Sequence, residues 1–323
     1  MPSRATTHRT VSLRENHART SASPAAAPRR WGTKRRGTSL ALRAETSPHT
    51  LPATETAAPT LRARLVNIGS TGVVVGVHAL CVFAPFTVSW RVVALATASY
   101  VLQTLGVTAG YHRYFSHHAF KTGRAFQFVL GWLGCAAMQN GPLWWASGHR
   151  RHHRFSDRAG DPHSPVLGGF WHGHLGWVLS GENDHPDLEN VRELRVFPEL
   201  RFLDRFKWLP TIVTGVVCGL ALGWPGVVWG LGVATTLAFH APLFVNSAAH
   251  TWGSRRFETK DSSRNNALLG VWVLGEGWHN NHHHDPSSAR HGFAWWEVDV
   301  TYYAIWSLSK LGVVWDVRKP RPW

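Results

Sequence analysis

Long stretches without charge limit what this chain can become. Residues 68–90 hold no Asp, Glu, Lys or Arg, Arg91 interrupts, and residues 92–111 are again uncharged. Each half approaches the roughly 20 residues a helix needs to cross a bilayer. Residues 208–253 also lack all four charged types, and Gly223-Trp224-Pro225-Gly226 breaks that run near its middle, where a turn is expected. The pattern predicts an all-α integral-membrane protein with four transmembrane helices in two hairpins. The helix over residues 209–222 is the shortest of them. The competing reading, a soluble protein with very apolar core helices, is disfavoured by two uncharged hairpins of this length.

Charge sets the orientation. The formal net charge is +15, concentrated in the first 43 residues and beside the apolar runs. Arg62 and Arg64 precede the first hairpin, and Arg113, Lys121 and Arg124 follow it. Arg205 and Lys207 precede the second, and Arg255, Arg256 and Lys260 follow it, while the two turns hold only Arg91. The positive-inside rule then puts both termini and residues 112–207 in the cytoplasm. Residues 126–145 are apolar and uncharged as well. They are read as a helix lying partly in the interface, because a span there would separate the histidine clusters on either side.

Residues 1–60 are rich in Arg, Ser, Thr, Ala and Pro and are expected to be a disordered basic tail before one domain over 61–323. The tail also fits an organelle transit peptide, and no apolar segment near Met1 suggests a secretory signal. Because it is equally explained without targeting, a bacterial inner membrane is expected, with a plastid membrane as the alternative. Cys81, Cys135 and Cys218 sit in apolar stretches and form no CxxC pair, which argues against disulfides and thiolate zinc sites.

The 21 histidines are clustered. His112 and His117 form an HxxxxH. His149-Arg-Arg-His152-His153 and His279-Asn-Asn-His282-His283 each form an HxxHH. Asn246 and His250 lie four residues apart at the end of the last apolar run. On a helix turning about 100° per residue, the histidines of an HxxHH share one face. Neutral imidazole suits iron, zinc, copper or nickel, and nine clustered histidines exceed what one ion takes. Two ions are therefore expected at the cytoplasmic boundary. Asp157, Asp161, Glu276 and Asp285 are candidates to accept the second ring N–H of ligating histidines, and His163 is a further candidate behind the ligands. His8, His17 and His49 in the tail are set aside, His78 and His240 are read as packed within spans, and His118, His172, His174, His185, His284 and His291 are left out.

These residues carry a resemblance. Thr108-Ala-Gly-Tyr-His112-Arg-Tyr-Phe-Ser-His117, His149-Arg-Arg-His152-His153-Arg-Phe-Ser-Asp157, Asp161-Pro-His163, Asn246-Ser-Ala-Ala-His250 and Gly275-Glu-Gly-Trp-His279-Asn-Asn-His282-His283 resemble the acyl-CoA desaturases of the stearoyl-CoA, delta-9 type. Trp295-Trp296-Glu297-Val298-Asp299 looks like the bacterial and plastid branch. The resemblance covers about residues 65–320. It implies four transmembrane helices under a cytoplasmic helical cap with a di-iron site. The ligands it implies are His112, His117, His149, His152, His153, His250, His279, His282 and His283, with Asn246 holding a metal-bound water. It implies an O2-dependent reaction that places a cis double bond in a long saturated acyl chain carried by CoA, lipid or carrier protein. Two electrons would come from a separate ferredoxin, cytochrome b5 or reductase, and Arg150, Arg151 and Arg154 offer a basic face to an acidic donor or to lipid headgroups. Asn140 and Trp145 match positions near the acyl tunnel. Ser147-Gly148 stands where the animal enzymes carry an Arg-Asp pair that helps hold CoA.

Two other readings compete. A related membrane hydroxylase or alkane monooxygenase shares the first hydrogen abstraction. A metal transporter would place ionisable residues along its spans, which are nearly empty of them here. A nucleic-acid partner is not expected, because no recognised module accompanies the positive charge.

Overall fold

The computed structural model describes residues 61–322 apart from positions 182, 184 and 185. The predicted tail, with His8, His17 and His49, and also His185, lies outside the described residues.

Helix α1 (Leu61–Leu80) runs into a 3-10 turn, Cys81–Phe86, that contains Pro85. Ser89 then starts α2 (Trp90–Leu105) by accepting the Val92 N–H at 3.4 Å, which satisfies one of the donors a helix N-terminus leaves open. Among the described residues, three helical stretches are long and apolar enough to cross a membrane: Gly69–Phe86, Trp90–Ser116 and Leu209–Ala248. Only 6 % of the first is buried inside the protein, so its apolar surface faces outward.

The third stretch has 40 residues. As one straight helix it would measure about 60 Å, roughly twice the hydrocarbon thickness. It bends at Leu222 (φ −138°, ψ 20°) and Gly223 (φ 64°), where the turn was expected. The chain therefore folds back at Gly223, and the part of α6 (Leu209–Gly226) after the bend runs on through a π-helical stretch, Val227–Val233, into α7 (Ala234–Ala248). Small residues allow the close packing: a Cβ on Gly230 would lie 2.4 Å from Cys218 Sγ, and one on Gly232 2.7 Å from Leu80 Cβ.

The run at 126–145 is not one helix. Helix α3 (Arg124–Ala136) ends before Met138 and Asn140, both at positive φ (58° and 59°), and α4 (Pro142–Phe155) begins after them. With 13 residues α3 spans about 20 Å and is too short to cross. It packs on α2 and the stretch just after it, where a Cβ on Gly106 would lie 2.5 Å from the Gly134 backbone.

Short helices build the rest: α5 (Pro198–Arg205), α8 (Ala267–Trp272), α9 (His279–His284) and α10 (Val300–Lys310). The core beneath them holds Tyr111, Phe115, Leu130, Leu200, Leu203 and Ile305, all buried. A two-stranded antiparallel pair, β1 (Lys121–Thr122) with β2 (Val314–Trp315), ties the end of the chain to the segment after HxxxxH.

Candidate metal centre

The HxxxxH lies in an unusual stretch. Residues Gly106–Ser116 form a π-helix, and the His117 N–H donates to the His112 carbonyl at 3.3 Å, five residues back. On an α-helix these side chains would be about 140° apart at 100° per residue. The wider π-turn brings i and i+5 back to one face, and such turns concentrate at functional sites.

The two HxxHH boxes are used in a crossed fashion. On α4, His149 and His153 point to one cluster and His152 to another; on α9, His279 and His283 join the second cluster and His282 the first. The histidines of each box thus divide between the clusters: the i, i+4 pair joins one and the remaining histidine the other. The first cluster is His112, His117, His149, His153 and His282; the second is His152, His250, His279 and His283. Within each cluster one ligand atom per residue lies within 4.8 Å of all the others.

The nitrogens facing each other are Nε2. His117 and His149 stand 2.8 Å apart, and the pairs His149–His153, His153–His282 and His282–His112 each 3.0 Å. In the second cluster His279 Nε2 lies 3.0 Å from both His250 Nε2 and His283 Nε2. Carboxylates decide which nitrogens carry protons. The Nδ1–H groups donate from His112 to Glu276 (2.5 Å), from His152 to Asp161 (3.0 Å), from His250 to Asp157 (3.0 Å) and from His283 to Asp261 (2.7 Å). The Nε2 atoms of those four rings are then bare lone pairs aimed inward. His152 Nε2 is buried with no hydrogen-bond partner. Facing lone pairs about 3 Å apart repel, and buried polar atoms are normally satisfied. A cation between them removes both costs, so this donor set fits a metal ion in each cluster.

Electrostatics agree. Burial, then the neighbouring imidazoles, hold His117, His149, His153, His279 and His282 well below the ordinary histidine range, so they are neutral. Burial pushes Asp157 and Asp161 up, but the bonds from His250 and His152 outweigh it and leave both carboxylates ionised. Glu276 is held down likewise by His112, His291 and Arg113.

Of the four proposed carboxylate partners, three do that work. Asp285 does not: it accepts from Ser287 Oγ and the Arg321 N–H, and His283 is served instead by Asp261, which sequence reasoning missed. His163 stacks on His152 with ring centres 4.3 Å apart, behind the second cluster. His291, left out of the sequence reading, is fully buried, lies 3.3 Å from Glu276 and packs 4.5 Å from the His282 ring. Glu276 also takes buried Arg113, which reaches Asp299 as well. Gly275 sits at φ +116° with Asp299 Oδ1 2.3 Å from where its Cβ would be, so the Gly-Glu turn is built for glycine. His78 and His240 are not merely packed: they bond to each other at 3.0 Å, and His240 bonds onward to His174, apart from the nine.

A small cavity touches both clusters, lined by His112, His149, His279, Asn246 and the apolar Val107, Val245 and Val273. Trp145 lines it too and stacks on His149 at 4.8 Å. Asn246 thus lies beside the ligands, one turn before His250. Asn140 is not in this wall; its side-chain oxygen accepts from Lys207 at 2.6 Å and its carbonyl from Tyr111. Arg150, expected on a docking face, is spent internally on the carbonyls of Phe115, Ser116 and Asn190 and on Glu193.

The fatty acid desaturase model matches residues 88–314. The chain belongs to the fatty acid desaturase family. It is 38 % identical over 261 residues to the chloroplastic palmitoyl-monogalactosyldiacylglycerol delta-7 desaturase of Arabidopsis thaliana, covering 80 % of this chain and 70 % of that one. It is 39 % identical over 249 residues to an acyl-CoA 5-desaturase of Anemone leveillei (76 % and 77 % covered). It is 36 % identical over 247 residues to delta-9 acyl-lipid desaturase 1 of Arabidopsis thaliana (76 % and 81 % covered). This desaturase is accordingly an oxidoreductase of fatty acyl metabolism, with histidine clusters suited to metal and helices suited to a membrane.

Proposed function

We propose that this desaturase is a multi-pass membrane enzyme that introduces a cis double bond, at the delta-9 position, into a long saturated acyl chain, using two irons, O2 and two electrons from a separate donor. The observation that carries the reading is the pair of inward-facing Nε2 clusters, five and four imidazoles, at the wall of one apolar-sided cavity. His112, His117, His149, His153 and His282 would hold one ion; His152, His250, His279 and His283 would hold the other, with Asn246 placed to bind a water on it. When bound, the irons supply the power to reduce O2 and to take hydrogen from an unactivated methylene.

The protein's own part is orientation. Glu276, Asp161, Asp157 and Asp261 fix ring tautomers and directions. Val107, Val245, Val273 and Trp145 offer the acyl chain an apolar wall and keep water from the reacting carbons. Relatives named for acyl-CoA and for acyl-lipid substrates are about equally similar, so the proposed substrate class is the acyl chain itself, whichever group carries it.

The bend at Leu222 and Gly223, added to the three apolar stretches, supports a reading of four spans. The expectation of a bacterial inner membrane finds no support in the comparisons; the relatives named above are plant proteins, one of them chloroplastic.

The test is fatty-acid profiling by gas chromatography–mass spectrometry of cells with and without the gene, with a competent donor supplied. A new monounsaturated chain is expected, and its double bond reports the position. His153→Ala and His282→Ala should each abolish the product while the protein stays in the membrane. A hydroxylated chain would replace the desaturase reading by a hydroxylase, and retained activity in either variant would remove that residue from the ligand set.

A further inference from the structure

We propose that electrons enter this desaturase from an acidic one-electron carrier protein seated in the depression between the end of α4 and the loop 258–261. The inference rests on the di-iron reading and adds where the donor binds.

The depression is lined by polar and charged groups, Arg158, Glu258, Thr259, Lys260 and Asp261 among them. Its wall includes His153 and His283. Those two histidines belong to different clusters, and their rings stack 4.5 Å apart at 26°. The His283 side chain is only 1 % exposed. Because His153 and His283 each line the depression and each belong to a cluster, one ligand ring lies between the depression and each cluster. A donor placed there faces a ligand of each ion at once.

The charge fits an acidic partner. Arg158 and Lys260 are exposed on the rim, and Arg255 joins them by donating to the Thr259 carbonyl at 2.9 Å. Glu258 is the one exposed carboxylate in the lining. Asp261 spends its charge on His283, with Thr259 and Ser263 also bonded to it. Complementary charge of this kind steers encounter and sets register. A lipid surface is the less suitable occupant: Pro286 is the lone apolar residue in the lining, whereas membrane-facing surfaces carry aromatic and aliphatic side chains.

The reaction requires such a partner. One saturated –CH2–CH2– unit, one O2, two protons and two electrons give one –CH=CH– unit and two waters. The electrons arrive singly, from two successive encounters with the reduced carrier, whose oxidised form leaves each time.

The experiment uses the full-length, iron-loaded protein in lipid nanodiscs, with an acidic plant-type [2Fe–2S] ferredoxin and the soluble haem domain of cytochrome b5 as probes. Binding is measured by biolayer interferometry at low and physiological salt. The double variant Arg158→Glu/Lys260→Glu should weaken binding of at least one probe by about tenfold or more at low salt and flatten its salt dependence. Arg195→Glu, elsewhere on the surface, should not. In a second arm Glu258→Cys, in a background lacking the native cysteines, is labelled with a bulky maleimide. Reduction by the ferredoxin or the cytochrome should slow at least tenfold, while reduction by dithionite, followed by absorbance, should be unchanged. Unaltered binding in the double variant, equal loss in Arg195→Glu, or a labelled protein that the donor still reduces normally would overturn the docking site. If the double variant instead loses binding only to anionic-lipid vesicles, the face is a membrane contact and the proposal fails. A protein that holds no reducible iron would refute the di-iron reading alone, because the binding arm has no redox readout.

Discussion

Asp261 and Asp285 test how finely single residues control the centre. Asp261 accepts the Nδ1–H of His283 at 2.7 Å, which leaves Nε2 bare and aimed at the second cluster. Asp285 is nearer in the chain but touches no ligand among the described residues. Asp261→Asn keeps the shape and removes the charge. It should lower iron affinity about 10- to 100-fold, the usual cost of losing such a partner, whereas Asp285→Asn should leave it unchanged. Iron titration followed by metal analysis of the two variants checks this, and equal loss in both would show that Asp261 has no special hold on the ion. The contrast also explains what could be read without the structure. The ligand histidines announce themselves by spacing, because i, i+3 and i+4 share a helix face. Glu276, Asp157 and Asp161 sit in or beside the motifs and were found. Asp261 serves a histidine 22 residues away, across a loop with no periodic signal, so neither pattern nor proximity points to it. Closeness in sequence pointed to Asp285 instead. His291 was missed for the same reason: alone in a loop, it is brought against Glu276 by tertiary packing.

Elements set where the boxes meet. The π-turn over Gly106–Ser116 aligns His112 with His117, and Arg150 ties that turn to α4 through the Phe115 and Ser116 carbonyls. The start of α4 has its own anchor. Asp204 on α5 accepts the N–H groups of Leu143 (3.0 Å) and Trp144 (3.1 Å), acting as a helix cap supplied from another element. Gly141 leaves the room, since a Cβ there would fall 2.3 Å from Asp204 Oδ1. Burial raises the Asp204 carboxyl from 3.8 to about 6 despite those bonds. The folded protein therefore binds this proton more tightly than the unfolded chain. The stabilisation is complete below the unfolded value and is lost as pH rises through about 6, a change on the order of 2–3 kcal/mol. Thermal unfolding in detergent should show stability falling between about pH 4 and 6. Asp204→Asn should flatten that fall, because the titrating proton is gone. A variant with an unaltered slope would assign the pH dependence to other groups. A single interfacial helix was expected over the apolar run 126–145. Positive φ at Met138 and Asn140 breaks it, and the signal for the break is Asn140-Gly141-Pro142, turn residues that put a proline at the start of α4.

At the scale of the whole molecule, the uncharged runs and their basic flanks dictate the arrangement. Three apolar stretches were legible, and the turn at Gly223 falls where the Gly-Trp-Pro-Gly sequence put it. The residues before the bend, 209–221, rise only about 20 Å, less than the roughly 30 Å hydrocarbon thickness. A short helix still crosses when the bilayer thins or its flanks reach for the interface. Trp208 at its start and Trp224 after its end are suited to such anchoring. Single cysteines in a background lacking the native three decide whether both halves cross. With the protein in sealed, oriented vesicles and a membrane-impermeant maleimide, Val88→Cys and Trp224→Cys should react from one side only, and Lys260→Cys and Arg154→Cys from the other only. This pattern puts the turns opposite the histidine face, as the positive-inside rule requires of a protein whose turns carry Arg91 alone. Labelling of Trp224→Cys from the same side as Lys260→Cys would make α6 and α7 a re-entrant hairpin. The chain would then cross twice rather than the four times proposed. The clusters themselves would be untouched by that result, because His250, just past α7, and His283 on α9 are held by Asp157 and Asp261. Anchoring and chemistry are in this sense separable: the spans fix where the centre sits, and the carboxylates behind the histidines fix what it can hold.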